Sequence, residues 1–283
     1  MRATISRAGK RSPWYDLVGY TLVIAWAVVT LFPLYWMVMT ALEPPTEVIK
    51  IPPQLLPTAP SAVNFERILN LSPLPRWFLN SAIVAGSRTI TALFFASLAG
   101  YSFAKLRFMG REFLFWMILT VVMIPGFVTI IPLYQVVLAL KWINSYWAMV
   151  VPGFTGGAYA IFLMRQFMKT LPNELGECAR IDGAGEFRVF WQVYLPLCKP
   201  GLAVLGIFTF VGHWNDFLWP LLVTNQHLMR TLAVGLQTLK AERSTDYGLL
   251  MAGGTYAAVP MVIMFLIFQR YFLQGITIGA IKG

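Results

Sequence analysis

Six apolar runs, each about as long as a bilayer is thick, leave this chain few folds to choose from. They fall at about 17–42, 77–104, 113–136, 146–168, 201–224 and 249–272. Each reaches the roughly 20 residues that a helix needs to cross a hydrocarbon core. Composition agrees: 58% of the 283 residues are hydrophobic and only 12% are charged, against about 25% charged in soluble domains. The fold class read from these runs is all-α, a polytopic membrane protein with six transmembrane helices. The first run follows a basic start, and Ala25-Trp26-Ala27 resembles a cleavage site. The run continues to about Met39, too long for the core of a signal peptide, so it reads as a retained span.

A formal charge of +10 invites a nucleic-acid reading, but the distribution of Lys and Arg gives a better one. With the N-terminus placed in the cytoplasm, the inner segments hold twice as many Lys and Arg as the outer ones, as expected when cytoplasmic loops retain positive charge. Both termini then face the cytoplasm. Residues 1–16 form an N-terminal tail, 17–272 the six-span domain and 273–283 a C-terminal tail. The outer loop from Glu43 to about Arg76 carries Pro44-Pro45 and Pro52-Pro53; such a segment is extended or turn-rich, either a linker or a docking surface. No nucleic-acid partner is expected.

Between the fourth and fifth runs, about 170–200, lies a polar stretch containing Glu177, Cys178, Ala179, Asp182, Gly183 and Ala184, followed by Leu195-Pro196. Its order reads as helix, tight turn, helix. Gly183 supplies the turn because glycine tolerates positive φ, Asp182 is expected to cap the following helix, and Pro196 is expected to stop it before the next span. This is a short hairpin at a membrane face, suited to dock on a soluble partner. Cys178 and Cys198 fall in the same region, and two isolated thiols define neither a metal cluster nor a disulfide framework.

Catalytic and metal signatures are missing. Gly9-Lys10 lacks the upstream glycine of a phosphate-binding loop, and no His-Glu-x-x-His motif or hydrolytic serine motif occurs. His213 borders an aromatic cluster and reads as a packed or hydrogen-bonded residue rather than a metal ligand. Gly153-x-x-x-Gly157 fits either close helix approach or local flexibility beside Pro152. Arg88 and Asp216 lie inside the second and fifth runs. Charges at such depths usually face a bundle interior or a water-filled cavity, and a long arginine is able to span the difference in depth and pair with the aspartate. Asp216 stands in Trp214-Asn215-Asp216-Phe217-Leu218-Trp219-Pro220. That segment offers either contacts to a hydroxyl-rich solute or two interfacial tryptophan anchors.

Residues Glu177–Gly183 with Leu195-Pro196 resemble the EAA loop of inner-membrane permeases of binding-protein-dependent ABC importers. Phe78-Leu79-Asn80-Ser81, Ala99-Gly100-Tyr101-Ser102-Phe103-Ala104, the Trp214–Pro220 segment and the terminal Gly279-Ala280-Ile281-Lys282-Gly283 are similar to the sugar-type branch, most of all to the second permease of maltose-type systems. The likeness covers about residues 15–283. Cys178 replaces an alanine of the family pattern, and Asp216 a glutamate. The resemblance implies a non-catalytic subunit of a bacterial or archaeal inner membrane, forming half of a pathway for a sugar or polyol, with glycerol phosphates as the nearest alternative solute. It implies a second permease, two ATPase subunits and an extracytoplasmic binding protein as partners. No cofactor or metal is expected in this chain, with ATP and Mg held by the ATPases. The loop residues would couple to the ATPase, Asn80, Arg88, Asn215 and Asp216 would line the pathway, and Gly279, Lys282 and Gly283 would reach toward the ATPase pair.

Overall fold

In the computed structural model, residues 13–46, 48, 55–242 and 246–280 are described, with side chains in the last helix as far as Gln269. All regular structure among them is helical. The first apolar run becomes one helix, α1 (Pro13–Leu42), followed by a short α2 (Val63–Leu71) and a 32-residue α3 (Leu74–Lys105). Next come α4 (Arg111–Thr120), α5 (Gly126–Ala139), α6 (Tyr146–Val150), α7 (Gly157–Lys169) and α8 (Glu174–Ile181). A single turn α9 (Glu186–Arg188) leads through a π-helical segment, Val189–Tyr194, into α10 (Leu195–Leu197). The chain ends with α11 (Lys199–Trp214), α12 (Leu218–Val223), α13 (Leu232–Glu242) and α14 (Tyr247–Ala280).

Three helices are single, apolar and long enough to cross a membrane: Asp16–Leu42, Leu74–Lys105 and Tyr247–Gln269. Three bent pairs bring the number to as many as six. The bends have identifiable causes. Within the run 113–136 the chain turns by 97° at Pro125, which has no N–H to continue the ladder. Ile124 before it is extended, with φ −82° and ψ 118°, as a residue preceding proline tends to be. The run 146–168 bends by 45° beyond Pro152, where Gly156 takes φ +76°.

The stretch 201–224, expected as one span, is not one helix. The helix α11 ends at Trp214, residues 215–217 leave the ladder, and α12 resumes at Leu218, because Pro220 cannot donate to the carbonyl four residues back at Asp216. The stop expected at Pro196 falls later as well. Pro196 lies inside α10, and the 80° bend follows between Leu197 and Lys199. The helix α14 also runs past the boundary expected at 272, to Ala280.

The chain divides into two compact units. In the smaller, residues 1–68 and 245–255, the fully buried Asn64 donates to the carbonyls of Ala41 (3.0 Å) and Glu43 (2.7 Å). Arg67 pairs with Asp246 at 2.7 Å, and an Asp246 carboxylate oxygen accepts from Leu249 N–H at the start of α14. The apolar window of α1 has no buried residue.

The larger unit is organised on α3. Ser81, Ala85, Thr89, Ala92, Ala96 and Gly100 are all buried, and steps of three and four residues align them into one stripe. Small residues along a stripe let neighbouring helices approach closely, and α7 and α11 pack against α3. At the C-terminal half of α3 the core contains Tyr101, Met164, Phe190, Tyr194 and Leu205; at its N-terminal half a second core gathers Val84, Val137, Met149, Trp219 and Val223. The approach to α7 is tightest at Gly100, where a β-carbon would lie 2.8 Å from Met164 Cβ and 2.9 Å from the Arg165 backbone nitrogen. Gly100→Val is therefore expected to destabilise the chain by about 2 kcal/mol through overpacking. The check is thermal unfolding of the purified protein in mild detergent, with Gly86→Ala, at an open position, as the reference substitution.

Candidate functional site

The polar hairpin is built as a closed helix end followed by a braced return. Gly183 takes φ +81°, its N–H bonds the Arg180 carbonyl at 3.0 Å, and the Ala184 N–H bonds the Ala179 carbonyl at 2.9 Å. These two bonds close α8 through a left-handed residue. Asp182 does not cap the following helix: it is the last residue of the α8 side, and Gly185 stands at the start of α9. The turn is made by the backbone at Gly183, and the carboxylate of Asp182 is left exposed.

The expected coupling residues divide into two faces. Glu177, Cys178, Asp182, Gly183 and Pro196 are exposed. Ala179, Ala184 and Leu195 pack inward against the core at the C-terminal half of α3, so they position the hairpin and do not form its outer surface. The tip is apolar, with Ile181 85% and Phe187 60% exposed. Sequence reasoning missed both, because an isolated Ile or Phe in a membrane protein carries no signal of its own.

Long-range bonds fasten the hairpin to α3. Arg180 donates to both oxygens of Glu186 (2.6 and 3.2 Å), and Tyr101 Oη donates to the same carboxylate at 2.7 Å. The donations from Arg180 and then Tyr101 hold the Glu186 carboxyl below the usual carboxylate range. Lys105 Nζ donates to the Leu171 carbonyl (2.6 Å) and to Asn173 Oδ1 (2.8 Å), and Tyr194 Oη to the Pro172 carbonyl (3.1 Å). Tyr101 and Lys105 sit in the last two turns of α3, so that helix end grips both limbs of the hairpin. Cys178 is a free exposed thiol and Cys198 a free buried one, and burial pushes the Cys198 thiol up to about 11.

The second cluster lies within the spans. Arg88 and Asp216 come together, Nη1 to Oδ2 at 3.6 Å. The same Nη1 is 3.1 Å from His213 Nδ1; since a guanidinium only donates, Nδ1 is the acceptor. Gly153 answers the question its spacing raised: a β-carbon there would lie 2.1 Å from Arg88 Nη2, so the absent side chain makes room for the guanidinium. Arg88, on unbroken α3, thus touches both the break before α7 and the break after α11. Asn215 is exposed and Asp216 half-buried. Asn80 is corrected: it is 0% exposed, both amide hydrogens go to the Leu228 and Arg230 carbonyls, and its oxygen accepts from Tyr146 Oη. With its hydrogen bonds consumed inside the fold, it is a structural tie and not a solute contact. Trp214 and Trp219 are likewise buried and donate to the Ala257 and Ala148 carbonyls.

Gly279 lies on α14, while Lys282 and Gly283 fall outside the described residues. Among the described residues no group of three or more His, Cys, Asp or Glu is placed to hold a metal.

Residues 92–278 match the family described as binding-protein-dependent transport system inner membrane component. The chain is 36% identical to the arabinooligosaccharides transport system permease protein AraQ of Halalkalibacterium halodurans, covering 97% of this chain and 99% of that one. It is 33% identical to the sn-glycerol-3-phosphate transport system permease protein UgpE of Brucella abortus, covering 94% and 98%. A solved bacterial ABC transporter involved in the import of the acidic polysaccharide alginate has a chain of the same fold, with TM-score 0.81 and 22% identity over 93% of this chain and 98% of that one.

Removing one partner of a buried ion pair strands the other charge, at a cost of about 3–5 kcal/mol, whereas replacing both by apolar groups is close to neutral. Because Asp216 is only half-buried and Arg88 keeps His213 as an acceptor, Asp216→Ala is expected to destabilise the chain by less than that, about 1–2 kcal/mol, and the double variant Arg88→Met/Asp216→Ala to recover most of the loss. Unfolding of the two variants and of Arg88→Met in detergent completes the cycle.

Proposed function

The chain belongs to the family of inner-membrane components of binding-protein-dependent transport systems, and from this premise we propose how it couples a sugar pathway to ATP hydrolysis. Membership makes it a multi-pass, non-catalytic permease subunit of an ABC importer. In the proposal, this chain forms half of the pathway and a second, homologous permease the other half. Two ATPase subunits, which hold the ATP and Mg, bind on the cytoplasmic side, and an extracytoplasmic binding protein delivers the solute. Both termini are cytoplasmic, as the distribution of Lys and Arg supports.

The observation that carries this reading is the hairpin at 174–188. A docking element has to be stiff where it is held and open where it docks. Here α3 fixes the base through Tyr101 and Lys105, and the tip presents Ile181, Phe187 and the exposed Glu177. The apolar tip enters a cleft on the ATPase, and Glu177 makes a polar contact there. Closure of the ATPase pair moves the hairpin, and the hairpin moves α3. The conformational equilibrium is biased by the differential affinity of nucleotide and binding protein for its two states. Within the spans, the exposed Asn215 and the half-buried Asp216 lie on the pathway side of the break between α11 and α12.

The solute in this proposal is a sugar or oligosaccharide, supported by the likeness to an arabinooligosaccharide permease. A glycerol-phosphate-type solute is the second reading, supported by the 33% identity to glycerol-3-phosphate permeases. Uptake of labelled arabinooligosaccharide and of labelled glycerol 3-phosphate by cells that express the complete importer separates the two.

Gly183→Val is expected to abolish uptake while leaving membrane insertion intact, because a β-branched residue at φ +81° is strained. Uptake at the wild-type rate would refute the coupling role. Affinity purification of the tagged chain from native membranes tests the assembly: recovery with a second permease and a phosphate-binding-loop ATPase is expected. Recovery of the chain alone, where other membrane complexes survive, would remove the basis for the coupling residues.

A further inference from the structure

The loop between α3 and α4 encloses, against the base of the hairpin, a polar cavity of about 750 Å³. Lys105, Arg107 and Arg111 line one side and Asn173, Arg180 and Tyr194 the other. A second cavity of about 460 Å³ shares Arg107 and Arg111 with it and extends to Phe113. The first cavity shares Glu177 with the hairpin surface proposed above to dock on the ATPase, but its Lys105, Arg107 and Arg111 side has no part in that docking or in solute passage.

Its charges do not cancel. Arg180 is neutralised by Glu186. Lys105 donates to a carbonyl and an amide oxygen, both neutral. Glu112 is gripped by Arg165 at 2.6 and 2.7 Å and only then reached by Arg111 at 3.1 Å, so two arginines share one carboxylate. Arg107 is exposed and forms no ion pair or hydrogen bond among the described residues. Against these stand Glu177 on the cavity wall and Glu174 beside Lys105, so the five basic groups Lys105, Arg107, Arg111, Arg165 and Arg180 outnumber the four carboxylates Glu112, Glu174, Glu177 and Glu186.

The rim of the cavity indicates where an anion comes from. Met109, in the turn before α4, is 99% exposed, Phe113 72% and Trp116 63%, and the three-residue spacing of Phe113 and Trp116 places those two on one face of α4. An outward apolar stripe thus descends from a cationic cavity at a membrane face, which is the form of a headgroup site with an acyl-chain track below it. Basic pockets at the cytoplasmic ends of transmembrane helices bind anionic headgroups.

We propose that the Lys105–Arg107–Arg111 cavity binds the phosphate of an anionic phospholipid from the cytoplasmic leaflet, its chains lying along Met109, Phe113 and Trp116. The bound headgroup touches the wall formed by the hairpin and ties the position of α8 to the lipid composition around it. The proposal rests on the cytoplasmic assignment of the 170–200 loop only for the choice of leaflet. Binding is measured on the chain alone, so its failure and that of the importer reading are separately visible.

The test is calorimetric titration of the full-length chain, in neutral detergent, with short-chain phosphatidylglycerol, phosphatidylcholine of the same chain length, and inorganic phosphate. Saturable binding of phosphatidylglycerol is expected, with much weaker phosphatidylcholine binding. Arg107→Gln/Arg111→Gln is expected to weaken it about thirtyfold, while Arg107→Lys/Arg111→Lys retains it and shows that the loop tolerates substitution. Lys169→Gln, which removes an exposed charge from the same face but not from the cavity, leaves binding unchanged. Equal affinity for the two lipids, or an equal loss in Lys169→Gln, would overturn the site. Displacement of the lipid by inorganic phosphate at equal concentration would overturn the lipid assignment in favour of a free-phosphate site.

Discussion

Close approach along one face of α3 is the constraint on which the larger unit depends. From Ser81 to Gly100 that face carries nothing bulkier than threonine at the stripe positions. In a membrane, apolar side chains gain little by leaving lipid for a neighbouring helix, so association relies on fit and on hydrogen bonds. The fit comes from the small stripe. The hydrogen bonds come from polar groups at both ends of the helix: Asn80 to the 228–230 segment, Tyr101 and Lys105 to the hairpin. A single continuous element thus joins the 228–230 segment to the hairpin, with a charged residue, Arg88, between them.

The neighbouring elements are discontinuous, and proline accounts for much of this. Pro125 and Pro220 each remove a donor from a run that hydropathy alone reads as unbroken. In lipid a broken ladder leaves carbonyls without partners, and it persists only where protein or a water-filled space covers it. At the break after α11 Arg88 meets the Asp216 carboxylate and the His213 ring, and at the break before α7 its guanidinium fills the space above Gly153. The continuous helix supports the discontinuous ones at the places where they are weakest.

Much of this was legible in the sequence. The apolar runs set the fold class, Gly183 marked the turn, and depth arguments brought Arg88 and Asp216 together. These signals are local, or depend only on distance along a helix axis. Asp182 was misread because a carboxylate after a helix looks the same as one before the next helix; the choice was made by the bonds from Gly183 and Ala184 back into α8. Asn80 looked like a polar pathway residue because its partners are 66 to 150 positions away. The brace of Tyr101, Arg180 and Glu186 was invisible for the same reason, since nothing in a helix-end tyrosine specifies which glutamate it will meet. The fifth span was drawn through residues 215–217 because hydropathy averages over a proline without registering the missing donor.

The placement of Arg88 on α3 has a mechanical side. At 1.5 Å per residue, Tyr101 lies about 20 Å from Arg88 along the axis in one direction, and Asn80 about 12 Å in the other. Were α3 to tilt about that turn, about five degrees would carry Tyr101 through about 1.7 Å and Asn80 through about 1 Å the opposite way, so the ratio of the two displacements follows from which turn of the helix carries the arginine.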